Sequence, residues 1–139
     1  MQRRLKLISL FFTKQFIKFF TVGVSAALIH WLSRIILNLY FTFNISVLLA
    51  YFFGIGSAYV LNRIFVFPNS QKPIHEQIYK FLLINILFLP VVWFFSVFIY
   101  SLFLNFSISF YPAAIAHGIA VSLPMLLTFI LYKFFAFED

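Results

Sequence analysis

The chain has 139 residues, 64% of them hydrophobic and 9% charged, with mean hydropathy +1.05 and formal net charge +7. Soluble domains carry about a quarter charged residues, so this composition excludes a water-soluble globular domain and reads as an all-α integral membrane protein. The absence of cysteine removes disulfide and thiol chemistry, and no soluble basic domain exists to bind nucleic acid.

Residues from about 3 to 18 place Leu5, Ile8, Phe12, Phe16 and Phe19 on one helical face and Arg4, Lys14 and Lys18 elsewhere. This is the pattern of a short amphipathic helix lying in the membrane interface. Arg3, Arg4 and Lys6 lead a stretch too short, and too soon interrupted by lysine, for a secretory leader, so no cleavage is expected. Four apolar stretches follow, at about 19–41, 45–67, 79–104 and 110–135, each close to the ~20 residues that cross a hydrocarbon core.

The first and second spans are joined through Thr42-Phe43-Asn44 and the third and fourth through Asn105-Phe106-Ser107, both uncharged. The central link, 68–78, is longer and holds Lys72, Pro73, His75 and Glu76. Lys and Arg gather at the N-terminus, in the central link and at the C-terminal end. The positive-inside rule then places both termini and the central link in the cytoplasm of a multi-pass protein.

The two halves echo each other. Phe16-Ile17-Lys18-Phe19 opens the first hairpin and Ile78-Tyr79-Lys80-Phe81 the second. Leu61-Asn62-Arg63 with Phe65 and Phe67 closes the first, and Leu131-Tyr132-Lys133 with Phe135 and Phe137 closes the second. The starts and ends differ in offset, so about two helical turns are inserted in the second copy. Both copies run in the same direction, which makes two parallel-repeat hairpins.

Polar residues within the spans are few. His30, Arg34 and Asn38 recur at i, i+4 and i+8, one stripe of a helix. With a span ending at 41, Arg34 would lie roughly 10 Å inside the outer boundary. It then either snorkels to the outer headgroups or faces backbone carbonyls, water or a bound phosphate, because no Asp or Glu lies in any span. That same lack disfavours proton-coupled cation export and favours anion handling, with His30 and His117 the only side chains in the spans that titrate near neutral pH.

Small residues (Gly23, Ala26, Ala27; Ala50, Gly54, Ser57, Ala58) provide close-packing faces, and Ala113, His117, Ala120 and Pro124 lie on a comparable face of the fourth span. Pro124 is expected to free the Ala120 carbonyl and kink the fourth span, and Asn85 with Pro90 to act similarly in the third. Lys18, Arg63, Lys80 and Lys133 end the four spans on one side. Singly each is a topology anchor; together with Asn62 beside Arg63 they form a candidate lipid-phosphate mouth. No catalytic constellation or metal-ligand cluster stands in register, and no cofactor is expected.

On Lys18-Phe19 with Val22-Gly23-Val24, on Asn62-Arg63 with its aromatic ending, on Tyr79-Lys80-Phe81 and on Tyr132-Lys133, the chain resembles the GtrA-like family of small four-span bacterial membrane proteins over nearly its full length. It departs where many relatives carry Asp near His30, and where the second Asn-Arg is Tyr132-Lys133. The resemblance implies a single GtrA-like transmembrane domain over 1–139 in the bacterial cytoplasmic membrane, without enzymatic activity. It implies translocation of a polyprenyl-phosphate-linked sugar, such as one on undecaprenyl phosphate, for cell-envelope polysaccharide. A membrane glycosyltransferase would be its partner. The alternative is a non-transporting anchor or docking subunit for that glycosyltransferase, with Lys72, His75 and Glu76 as contacts. In the translocase reading Arg63, Asn62, Lys133, Lys80 and Lys18 hold the phosphate and His30, Arg34, Asn38 and Asn85 line a polar path. Four short helices make a thin wall, so a homo-oligomer is expected.

Overall fold

The computed structural model describes residues 13–138, apart from the side chains at positions 43, 44, 47, 93, 113, 114, 117 and 121. The expected interfacial helix lies outside the described residues up to position 12, as do the His117 and Ala113 side chains. The chain divides into two compact units, the first reaching Gln71 and the second running from Lys72 to Glu138. Among the described residues every regular element is helical.

In the first unit Thr13 caps helix α1 (Lys14–Leu37), its Oγ1 accepting the Phe16 N–H at 3.2 Å. This cap marks the start of the helix that carries the first span. Residues 14–18, expected in the interfacial helix, are the opening of α1 itself. Thr21 and Ser25 turn their hydroxyls back to the carbonyls of Ile17 and Thr21, which removes two donors from the apolar surroundings. The helix stops at Leu37, earlier than the expected 41, where the Asn38 and Phe41 N–H groups fold back on Arg34 and Leu37. A short turn leads to α2 (Phe43–Leu61), which widens without a break into a π segment, Asn62–Val66, ended by the Phe67 N–H on the Asn62 carbonyl at 2.8 Å.

The second unit repeats this plan. Helix α3 (Ile74–Asn105) begins after Pro73 with Glu76 in its first turn, where a carboxylate meets the positive end of the helix dipole. It runs 32 residues against 24 for α1, the two additional turns required by the sequence offsets, and continues through Pro90. Ser107 closes it in the left-handed region (φ 57°), with Ile108 N–H on Phe103 O and Ser107 N–H on Leu104 O, the paired bonds of a Schellman cap. Pro112 opens α4 (Pro112–Ser122), and a two-residue turn at Leu123 and buried Pro124, both in the right-handed helical region, interrupts the helix before α5 (Met125–Leu131) at the place of the expected kink. A second π segment, Tyr132–Ala136, follows, ended by the Phe137 N–H on the Tyr132 carbonyl at 2.9 Å.

Burial follows the repeat. Phe19 and Val22 of α1 correspond to Phe81 and Ile84 of α3, and all four are buried. Ser46 and Ala50 of α2 correspond to Ala116 and Ala120 of α4, all fully buried, the small residues that allow close helix approach. Outside this core the large apolar residues are mostly exposed, among them Trp31, Phe52, Leu87 and Phe98. Four stretches are long and apolar enough to cross a bilayer: Lys14–Leu37, Leu48–Val66, Ile74–Asn105 and Gly118–Ala136. An apolar surface of this extent has lipid as its solvent, and the chain is a multi-pass membrane protein.

Candidate functional site

The two π segments are the most closely repeated structure in the chain. A π turn widens the helix by one residue per hydrogen-bonded ring and recurs at functional positions. Here it gives the same exposure pattern twice: Asn62, Val66 and Phe67 are buried, Arg63 is half-buried, and Ile64 and Phe65 face out. Tyr132, Ala136 and Phe137 are buried, Lys133 is half-buried, and Phe134 and Phe135 face out. The wide turn therefore holds one cation per hairpin at the edge of the core.

In the first unit the Gln15 amide donates to the Val66 carbonyl at 2.9 Å, tying the start of α1 to the π segment. Lys18, one turn after Gln15 and exposed, is thereby at the same end of the hairpin as Arg63. Asn62 is 3% exposed; its Nδ2 donates to Ala58 O at 2.8 Å, while its Oδ1 is buried with no hydrogen-bond partner among the described residues.

In the second unit Gln77 stands where Gln15 does, three residues before the lysine, and its amide donates to Lys72 O at 2.7 Å. Lys72 in turn donates to the Phe135 carbonyl at 3.1 Å and pairs with Glu138 at 3.2 Å. Lys80 pairs with Glu76 at 3.5 Å and lies 5.0 Å from the Phe135 ring centre; Lys133 lies 6.0 Å from that of Phe134. Tyr132 stacks on Phe81 at 4.7 Å, and its Oη accepts from the Asn85 amide at 2.7 Å.

The polar-path residues have definite places. His30, Arg34 and Asn38 follow one another along α1 and its C-cap. His30 is half-buried against Gly54 of α2, where an added β-carbon would come within 2.8 Å of the His30 Cβ. Arg34 lies in the last turn of α1, three residues from its end, because the helix stops before the expected 41. It is therefore at a helix C-terminus, which favours a cation. Asn38 is exposed, and Asn85 is engaged with Phe81 O and Tyr132.

Sequence reasoning missed Gln15, Gln77 and the Tyr132 hydroxyl. The signal was available: a Gln stands three residues before the lysine that opens each hairpin. Of the alternative docking residues, Lys72 and Glu76 hold internal ion pairs and His75 is exposed. Chemically, each hairpin end presents a cation half-buried beside aromatic residues, a setting for an anion at the edge of an apolar medium.

No curated protein and no solved structure matches the chain. A family model, GtrA/DPMS, transmembrane domain, matches residues 18–137, from the first hairpin cation to the residue that ends the second π segment. That membership associates the chain with the membrane handling of polyprenyl-phosphate-linked sugars. With the match spanning both hairpins and both π segments, the chain belongs to the GtrA/DPMS transmembrane-domain family.

Proposed function

We propose that the protein translocates a polyprenyl-phosphate-linked sugar across the bacterial cytoplasmic membrane, without converting it chemically, for glycosylation of cell-envelope polysaccharide. The observation that carries this reading is the repeated π segment, which holds Arg63 and Lys133 half-buried at matching positions of the two hairpins. A phosphate on an isoprenoid chain needs a cation within reach of lipid, and a guanidinium or ammonium at the rim of an apolar core meets that need. Lys18 and Lys80 supply further positive charge, and Asn62 a polar contact beside Arg63. The sugar passes alongside the stripe of His30, Arg34 and Asn38 while the isoprenoid remains in lipid. Asn85 contributes through its bond to Tyr132. Both termini face the cytoplasm, the protein assembles as a homo-oligomer, and a membrane glycosyltransferase uses or supplies the lipid.

The test is transbilayer movement of a short-chain polyprenyl-phosphate-glucose in proteoliposomes, comparing wild type, Arg63→Ala and empty vesicles. Protein-dependent movement that falls in Arg63→Ala supports the reading. With verified folding and a panel of sugars, movement no faster than in empty vesicles transfers support to a docking subunit that recruits a glycosyltransferase without transporting.

A further inference from the structure

The two hairpins differ at one point where their repeat is otherwise close. In the second unit the side chain at position 132 finds its partner on the neighbouring helix, the Asn85 amide donating to Tyr132 Oη at 2.7 Å. In the first unit Asn62 occupies the position of Tyr132, and the residue corresponding to Asn85 is Gly23, since Phe19 and Val22 correspond to Phe81 and Ile84. Gly23 has no side chain to donate. A β-carbon built on it meets nothing within 4 Å, and Asn62 Oδ1 is left buried without a partner among the described residues. The amide orientation is fixed, because Nδ2 is the group that can donate to Ala58 O and a flip would set two oxygens against each other. An unmet buried acceptor is costly, and more so in an apolar medium. The first hairpin thus carries an acceptor, next to the half-buried Arg63, for which the described residues provide no donor.

We infer that this acceptor is completed by the ligand: a hydroxyl of the sugar headgroup enters past Gly23 and donates to Asn62 Oδ1 while the lipid phosphate engages Arg63. The first hairpin is then the half that reads the headgroup, and the second, closed by Asn85 and Tyr132, is the half that reads phosphate alone. This rests on the proposed lipid-phosphate function and adds to it the source of discrimination between glycosylated and bare lipid. Water is the competing donor, and it does not distinguish the two lipids.

The experiment uses the full chain in nanodiscs with short-chain polyprenyl-phosphate-glucose and with the bare polyprenyl phosphate. One hydrogen bond to a buried acceptor corresponds to a preference of roughly three- to tenfold for the glucosylated lipid. Gly23→Asn installs the missing donor in the register of Asn85. It is expected to abolish the preference while retaining binding of the bare phosphate, and to melt at a higher temperature than Gly23→Ala, which gains helix propensity without a donor. Equal wild-type affinity for the two lipids, a preserved preference in Gly23→Asn, or a melting temperature no higher than that of Gly23→Ala overturns the inference. Failure to bind either lipid defeats the proposed function and this inference with it. Binding of both without preference defeats this inference alone.

Discussion

Gly54 and His30 are in backbone-to-side-chain contact: a β-carbon on Gly54 would lie 2.8 Å from the His30 Cβ and 3.7 Å from its Cα. Those atoms are rooted in the α1 backbone and cannot swing aside, so the glycine sets how closely α1 and α2 approach. Gly54→Ala must separate the helices, at an overpacking cost of about 1–3 kcal/mol. Gly56, two residues on, has nothing within 4 Å of a built β-carbon, and Gly56→Ala should be neutral or slightly stabilising through helix propensity. Thermal unfolding in detergent should separate the two alanines, and His30→Gly should recover part of the loss in Gly54→Ala. Equal melting temperatures for Gly54→Ala and Gly56→Ala would remove the contact from the account.

The bond between Asn85 and Tyr132 gives a second expectation. Tyr132→Phe keeps the stack on Phe81 and loses the acceptor; Asn85→Leu leaves the phenol without its donor. Measured couplings of this kind in membrane helices average about 0.6 kcal/mol and reach about 1.7. A double-mutant cycle on unfolding should return a coupling in that range, and a coupling of zero would mean that the two side chains act independently.

The sequence was informative where the physics is one-dimensional. Hydropathy located four spans, and the cation-aromatic endings exposed the repeat, because both depend on residue type along the chain alone. The inserted turns were also legible, since unequal offsets at the two ends of a repeat require them. What could not be read was where hydrogen bonds close an element. Thr13 begins α1 and the Asn38 turn ends it, so the expected 19–41 became Lys14–Leu37 and Arg34 moved to the last turn. The π segments also escaped notice, because Asn62–Val66 and Tyr132–Ala136 keep an apolar pattern that fits an α-helix as well. Partner choice was the least accessible: nothing along the chain indicates that Asn85 is bonded to Tyr132 or that His30 packs on Gly54.

Lys72 has two duties and Glu138 one. Lys72 donates to Phe135 O and pairs with Glu138, whose own side chain is 63% exposed. An exposed partner contributes little, so Glu138→Gln should hardly change stability. Lys72→Met also leaves the Phe135 carbonyl without this donor at the helix end and should loosen the last residues of the chain. Hydrogen exchange over residues 132–138 should rise in Lys72→Met and stay near wild type in Glu138→Gln. The reverse order would make the ion pair the main restraint.

Arg63 and Lys133 occupy equivalent positions with different chemistry, and the difference predicts unequal responses to exchange. A guanidinium presents a planar fork that can hold two phosphate oxygens, whereas an ammonium is a point charge with rotatable donors. If lipid phosphate binds here, Arg63→Lys should weaken binding of bare polyprenyl phosphate by roughly ten- to a hundredfold, the value of one charge-assisted hydrogen bond, and Arg63→Ala should weaken it further. Lys133→Arg should bind at least as well as wild type. Raising the salt concentration should weaken all of these, since the pairing is electrostatic and at the rim of the core. Titration in nanodiscs at low and high salt measures each constant directly. Arg63→Lys and Arg63→Ala indistinguishable from wild type at low salt would confine the residue to anchoring its helix end at the headgroups.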